Sequence, residues 1–364
     1  MKPEVVLSKL KPLFFDSAGY VVLGNANTLY RRSETGELEV LVTLPESGKR
    51  RFLARSSWAY RLGRLGFGTG AFFNGLYFFT YGASLYSYNP QRSELRCELR
   101  FRVGRGPLSF TVVEGVQGFD DGIYFGEYFG NRLRDPVHVY KRDGAGAWNV
   151  IYTFASGEIN HIHGLVADPI RGCVWLLAGD FEHSASIWQI EHEFSVVRPV
   201  LRGEQLHRAC IAFPLERGLL YATDTQLTRN SIRLLVQQEG EWKSETLFDI
   251  NGSCIYGCEL QDFFVFSTAT EPSDEVSNKF LALLDRKPGP GIIENRSDVL
   301  LVRKSDLSCK ILFSKEKDFL PYRLFQFGAI LFPNGKAEHN TLYAYSIGNK
   351  VNDLSTEVYR LDSN

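Results

Sequence analysis

Gly75-Leu76-Tyr77-Phe78-Phe79-Thr80-Tyr81 opens on a glycine, runs through apolar residues and closes on a polar side chain, and the chain repeats that unit. Clear copies stand at Gly122-Ile123-Tyr124-Phe125-Gly126-Glu127 and at Cys173-Val174-Trp175-Leu176-Leu177-Ala178-Gly179-Asp180. Two more are Gly218-Leu219-Leu220-Tyr221-Ala222-Thr223-Asp224 and Phe263-Phe264-Val265-Phe266-Ser267-Thr268-Ala269-Thr270-Glu271. Weaker copies lie near the ends, at Gly19-Tyr20-Val21-Val22-Leu23-Gly24-Asn25 and Thr341-Leu342-Tyr343-Ala344-Tyr345-Ser346. From Tyr81 through Glu127, Asp180 and Asp224 to Glu271 the steps are 46, 53, 44 and 47 residues. Four short strands with their turns occupy about 40–50 residues in a propeller blade. The period therefore predicts an all-β chain folded as a single β-propeller over residues 1–364. A helical solenoid would need a 3.6-residue apolar period, which is scarcely present.

Composition agrees. The chain has 27 Phe, 17 Tyr and 33 Gly among 364 residues, and aromatics suit half-buried pleated sheet while Gly serves tight turns. The formal net charge is −1 and the longest basic run is Lys49-Arg50-Arg51, so no nucleic-acid footprint is expected. No stretch of ~18 uninterrupted apolar residues marks a membrane-spanning helix. The first residues, Met1 to Lys11, intersperse charges among apolar side chains; they lack a secretory block, and the expected location is cytoplasmic. Of the six cysteines, Cys254 and Cys258 are four apart, the wrong spacing for a zinc knuckle. The others stand alone in strand-like runs, as small buried hydrophobes do.

Each unit carries a tail of two further strands. The clearest runs from Val137 to Phe154, with Asp143-Gly144-Ala145-Gly146 at the turn and Trp148 just after it. Asp143 followed by Trp148 in a strand-turn-strand resembles the Asp-box of sialidase-like propellers, also called BNR repeats. Lys141 and Ala147 stand where hydroxyl residues are usual in that motif, and Ala145 stands where a Gly is usual. The wider run of Glu127-Tyr128, Asn131-Arg132, His161-Ile162-His163-Gly164 and Gly179-Asp180 is similar to a BNR-like subgroup associated with bacterial polysaccharide biosynthesis or processing. Within that family the Asp-box is structural and lies away from the active face.

Seven copies predict seven four-stranded blades, with the N-terminal segment completing the last sheet; six blades is the alternative, because the first and last copies are weak. Residues 272–297, with Pro288-Gly289-Pro290-Gly291, break the pattern and are expected to be an insertion or long loop within blade six.

The start of a blade's first strand and the end of its second share one face, where loops converge on a rigid scaffold. Tyr81, Glu127, Asp180, Asp224 and Glu271 end second strands. Arg64, His161, His163, Arg208, Arg323 and Gln326 stand at the entrances of first strands, and Tyr128 and Arg132 follow Glu127. His161 and His163 alternate on a strand and should point to one side. A capping role at the turn would account for Asp180 and Asp224 better than for Glu127 and Glu271, since Glu is a poor turn former.

The function this predicts is a carbohydrate-active propeller acting on a complex or acidic bacterial saccharide by glycosidic-bond cleavage. As a hydrolase it would use two of the carboxylates Glu127, Asp180, Asp224 and Glu271 as acid and base. Arg64, Arg208 and Arg323 could grip a substrate carboxylate, although their blade positions do not map onto the sialidase pattern. As a lyase it would use His161, His163 or Tyr128 as base, with Arg or a cation neutralising a uronate. The alternative is a non-catalytic propeller that binds a glycan or a partner through aromatics such as Tyr81, Tyr128, Phe129 and Tyr322. No cofactor is expected. A divalent cation at His161 and His163 has only two ligands visible in the sequence.

Overall fold

A computed structural model describes residues 1–33, 35–45, 48–54, 56–273, 275–276 and 278–362, leaving aside the side chains of Lys49, Arg50, Arg51 and Lys279. The strands form seven four-stranded antiparallel sheets, and the chain is a seven-bladed β-propeller. In chain order the first four sheets cover residues 11–43, 67–100, 111–154 and 161–202, and the next two cover 209–250 and 253–316. The seventh joins Ala329–Leu331, Thr341–Ile347 and Ser355–Arg360 to the N-terminal strand Val5–Ser8. Val5 pairs with Val358 and Ser8 with Ser355, so the first strand does complete the last sheet.

The repeated unit is legible because of where it lies. It is the second strand of each sheet, covered on both faces, and it therefore reads as a continuous apolar run. Every residue of Cys173–Gly179 and of Phe263–Ala269 is buried. The fourth strands have one face in water and alternate, as in Glu241–Ile250.

The chain divides into two compact units. One comprises residues 69–225 and 230–249 and carries the second to fifth sheets. Its cores lie between successive sheets: Val174, Leu176 and Trp188 meet Val137, Val139 and Phe154 in one, and Trp175, Leu177 and Ile187 meet Leu219 and Tyr221 in the next. Asp143 shapes its own turn. Its Oδ1 accepts the Ala147 amide at 2.8 Å, and Trp148 packs 5.2 Å from Phe125.

The other unit comprises residues 1–68, 226–229 and 250–364 and carries the first, sixth and seventh sheets. Leu23, Val265, Leu301 and Leu342 share its core. In the sixth sheet the second strand ends at Ala269 and the third begins at Arg296, so Arg296 and Ser297 belong to the strand. The segment between them holds a helix, Lys279–Leu284, whose first amides are capped by Asn278. Asp274 and Ser277 lie outside the described residues. Two further helices, Gly48–Leu53 and Ser57–Gly63, follow the first sheet. No helix among the described residues is long and apolar enough to cross a membrane.

Candidate functional site

The unit spanning 69–249 gathers His161, His163, Asp180, Arg208 and Asp224 into one buried cluster. His161 opens the first strand of the fourth sheet, where the ladder skips a residue between Ile162 and Gly164. A bulge of this kind re-aims the extra side chain, here His163. The first strand of the fifth sheet skips in the same way between Ala209 and Ile211, which turns out Cys210. Asp180 and Asp224 immediately follow the second strands of the same two sheets.

Both imidazoles have fixed tautomers. His161 Nδ1 donates to Phe129 O and His163 Nδ1 donates to Ala209 O, each at 2.8 Å. A carbonyl can only accept, so each Nδ1 carries a hydrogen and each ring turns Nε2 toward the other partners. Those two Nε2 atoms lie 3.0 Å apart. Asp180 Oδ1 lies 3.2 Å from the first and 3.1 Å from the second. Two imidazole nitrogens and a carboxylate oxygen thus converge at one point. Burial works to raise the Asp180 pKa; hydrogen bonds with His161 and His163 and the charge of Arg208 overcome it and hold the carboxyl well below the usual range.

Arg208 ties the two carboxylates together, with Nη2 3.2 Å from Asp180 Oδ1 and 3.4 Å from Asp224 Oδ2. Cys210 Sγ donates to Asp224 Oδ2 at 3.1 Å. Burial, and then the Asp224 charge, push that thiol well above its usual pKa, so it is a neutral donor and no nucleophile. The Tyr128 ring meets His161 edge-on, 4.5 Å between centroids. Asp180 and Asp224 are therefore members of a charged cluster, not the turn caps that their residue type suggests. Asp180, held ionised, keeps no proton for use as a glycosidic acid.

Glu127 stands apart from this cluster in its bonding. Arg102 grips it with two hydrogen bonds, at 3.1 and 2.8 Å, and the His138 amide and Tyr140 hydroxyl donate to it as well. It lines a small surface hollow together with Phe101, Arg102, Pro107, Tyr128 and Tyr140. Tyr81 is buried at the end of its strand, and Arg132 is exposed on a turn. Cys210 and Arg102 were missed by sequence reasoning. A bulge leaves no mark in residue type, and Arg102 sits in an irregular segment outside the repeat.

The remaining predicted residues belong to the other unit. Glu271 accepts Ser253 Oγ at 2.6 Å. Arg323, in the helical turn Tyr322–Phe325, donates to Ser273 O at 3.0 Å. Gln326 ends that turn with a positive φ, and Arg64 ends Ser57–Gly63 in the left-handed region.

Glycine 179 makes room for the cluster. A Cβ there would lie 2.2 Å from His163 Cε1, and the ring is pinned through Nδ1. Gly179→Ala is expected to displace His163 and to cost about 1–3 kcal/mol through overpacking. Urea denaturation checks this; an unchanged midpoint would mean that the ring moves aside freely.

The sequence matches no described protein family and no curated protein. Among solved structures the chain is similar to one from a crystal structure of the mitotic checkpoint complex, with 9% identity, a TM-score of 0.56, and 99% of this chain and 94% of that one covered. It is also similar to the computationally designed Ika8 protein, with 11% identity and a TM-score of 0.52, covering 99% and 98%. The AfRom2 CNH domain gives 7% identity and a TM-score of 0.52, covering 100% and 96%. Likeness at such identities is likeness of fold.

Proposed function

We propose that the chain is a carbohydrate-active propeller that cleaves an acidic saccharide by β-elimination at the His161–His163–Asp180–Arg208 cluster. The carrying observation is the convergence of two imidazole nitrogens and the Asp180 carboxylate beside Arg208, a set of groups suited to positive charge at one point. That charge, with Arg208, would neutralise the carboxylate of a uronate and acidify the hydrogen on the adjacent carbon. Tyr128 relays the proton. As the phenolate it takes the proton from C5 as the C4–C5 double bond forms, and the resulting phenol returns it to the leaving oxygen as the C4–O bond breaks. Hydrolysis is less well supported, because a glycosidic acid needs a protonated carboxyl and Asp180 is held ionised.

Incubation with a panel of uronate-containing oligosaccharides tests the reading through the ultraviolet absorbance of the unsaturated product. Tyr128→Phe should lower the rate about 10²–10⁴-fold, the usual contribution of a proton-transfer group, with binding retained. Saturated products would point to hydrolysis. Binding without turnover across the panel would favour a glycan-binding propeller.

A further inference from the structure

We infer that His161 Nε2, His163 Nε2 and Asp180 Oδ1 bind one divalent first-row transition-metal ion. The inference stands on donor geometry and is independent of the saccharide reading. The three donor atoms form a nearly equilateral triangle with edges of 3.0, 3.1 and 3.2 Å. An ion ~2.1 Å from each donor would sit ~1.1 Å out of their plane and subtend angles of ~95°. That is one face of an octahedron. A regular tetrahedral site would spread the same donors to ~3.4 Å.

The surroundings match those of a metal centre. Metal-bound histidines hold their other nitrogen by donating to a carbonyl or carboxylate, which fixes the tautomer; Phe129 O and Ala209 O do this for His161 and His163. The ligating carboxylate is paired in its turn with Arg208, whose Nη2 lies 3.2 Å from Oδ1. Two imidazoles with one carboxylate select Mn, Fe, Co, Ni or Zn over Ca or Mg, which prefer oxygen throughout. The two rings are buried, but the Asp180 side chain is 23% exposed and gives the ion an entry path.

A second trio, His163, Cys210 and Asp224, also clusters. It is the poorer site, because His163 Nδ1 is committed to Ala209 O and Cys210 holds its proton.

The test is titration of the metal-stripped full chain with Mn²⁺ and Co²⁺, without saccharide, by calorimetry and optical absorption. The expected result is one ion per chain, with a weak Co²⁺ spectrum lacking a sulfur charge-transfer band. His161→Gln and Asp180→Asn should each weaken binding by more than ~100-fold, while Cys210→Ser leaves it unchanged. Near-ultraviolet circular dichroism establishes that the variants are folded, and if either is not, pulsed electron paramagnetic resonance of the parent with Mn²⁺ must detect two imidazole nitrogens. No stoichiometric binding to the parent overturns the inference, as does a thiolate band abolished by Cys210→Ser. Metal binding without turnover of any uronate would leave this site standing and remove the lyase reading.

Discussion

Asp168→Ala will unfold the chain at much lower denaturant concentration than the parent, with an expected loss of about 3–5 kcal/mol. Asp168 is fully buried. Its Oδ1 accepts the amides of Ile170 and Arg171 at 3.1 and 3.2 Å, and its Oδ2 accepts Arg171 Nη1 at 2.9 Å and Trp175 Nε1 at 2.8 Å. Every lone pair is matched. Arg171 also donates to Leu215 O and Glu216 O, linking the fourth sheet to the fifth. Trp175 fills the space between those sheets, 5.2 Å from Trp242. Removing the carboxylate leaves an uncompensated guanidinium and a buried indole N–H without an acceptor, and the whole desolvation cost of both remains. Asp168→Asn keeps the shape and one acceptor but not the charge, so it should fall between parent and Ala. Urea denaturation of the three proteins measures this. A loss below ~1 kcal/mol for Ala would mean that ionising Asp168 costs as much in desolvation as its bonds return.

Asp168 also shows where the sequence is legible. The repeat was visible because burial on both faces writes itself as uninterrupted apolar residues, as in Cys173-Val174-Trp175-Leu176-Leu177. Blade number and the part played by the N-terminal strand followed from it. The helices Gly48–Leu53 and Ser57–Gly63 did not, since six or seven residues are too few to establish a period. Their faces are also poorly partnered, with Phe52, Trp58 and Leu62 exposed. At the site, alternation anticipated that His161 and His163 face one side, and the structure brings them together through the bulge at His163. The shared face also anticipated Asp180, Asp224 and Arg208, which the structure joins by ion pairs rather than leaving the two carboxylates as turn caps. The third donor to the histidine pair was present in the sequence as the last residue of a repeat copy. The shared face put it beside the imidazoles, and the pairing of His161 with Gly179, one residue before Asp180, brings it within 3.2 Å of both.

Arg208→Met should cost about 3–5 kcal/mol and be largely rescued by a second change, Asp224→Asn. The guanidinium is 6% exposed and lies between two carboxylates that bear like charge. Its side chain reaches over the Phe181 ring, so a methionine of similar length preserves much of the packing and isolates the effect of charge. Without Arg208, Asp180 keeps the two histidines as partners, but Asp224 keeps only the weak Cys210 donor on Oδ2. Its Oδ1 is buried and has no hydrogen-bond partner among the described residues. The destabilisation should therefore fall mainly on Asp224, and neutralising that residue should return most of it. A double-mutant cycle read by urea denaturation gives the coupling directly. Metal offers an independent check on the same charge argument. With Arg208 gone, two carboxylates stand uncompensated, and a dication between His161, His163 and Asp180 would cancel both. Saturating Mn²⁺ should therefore raise the midpoint of Arg208→Met by more than that of the parent, whereas a chelator should lower only proteins that retain both histidines. Equal midpoints for the parent and Arg208→Met in the presence of chelator would show that the two carboxylates do not depend on the arginine charge.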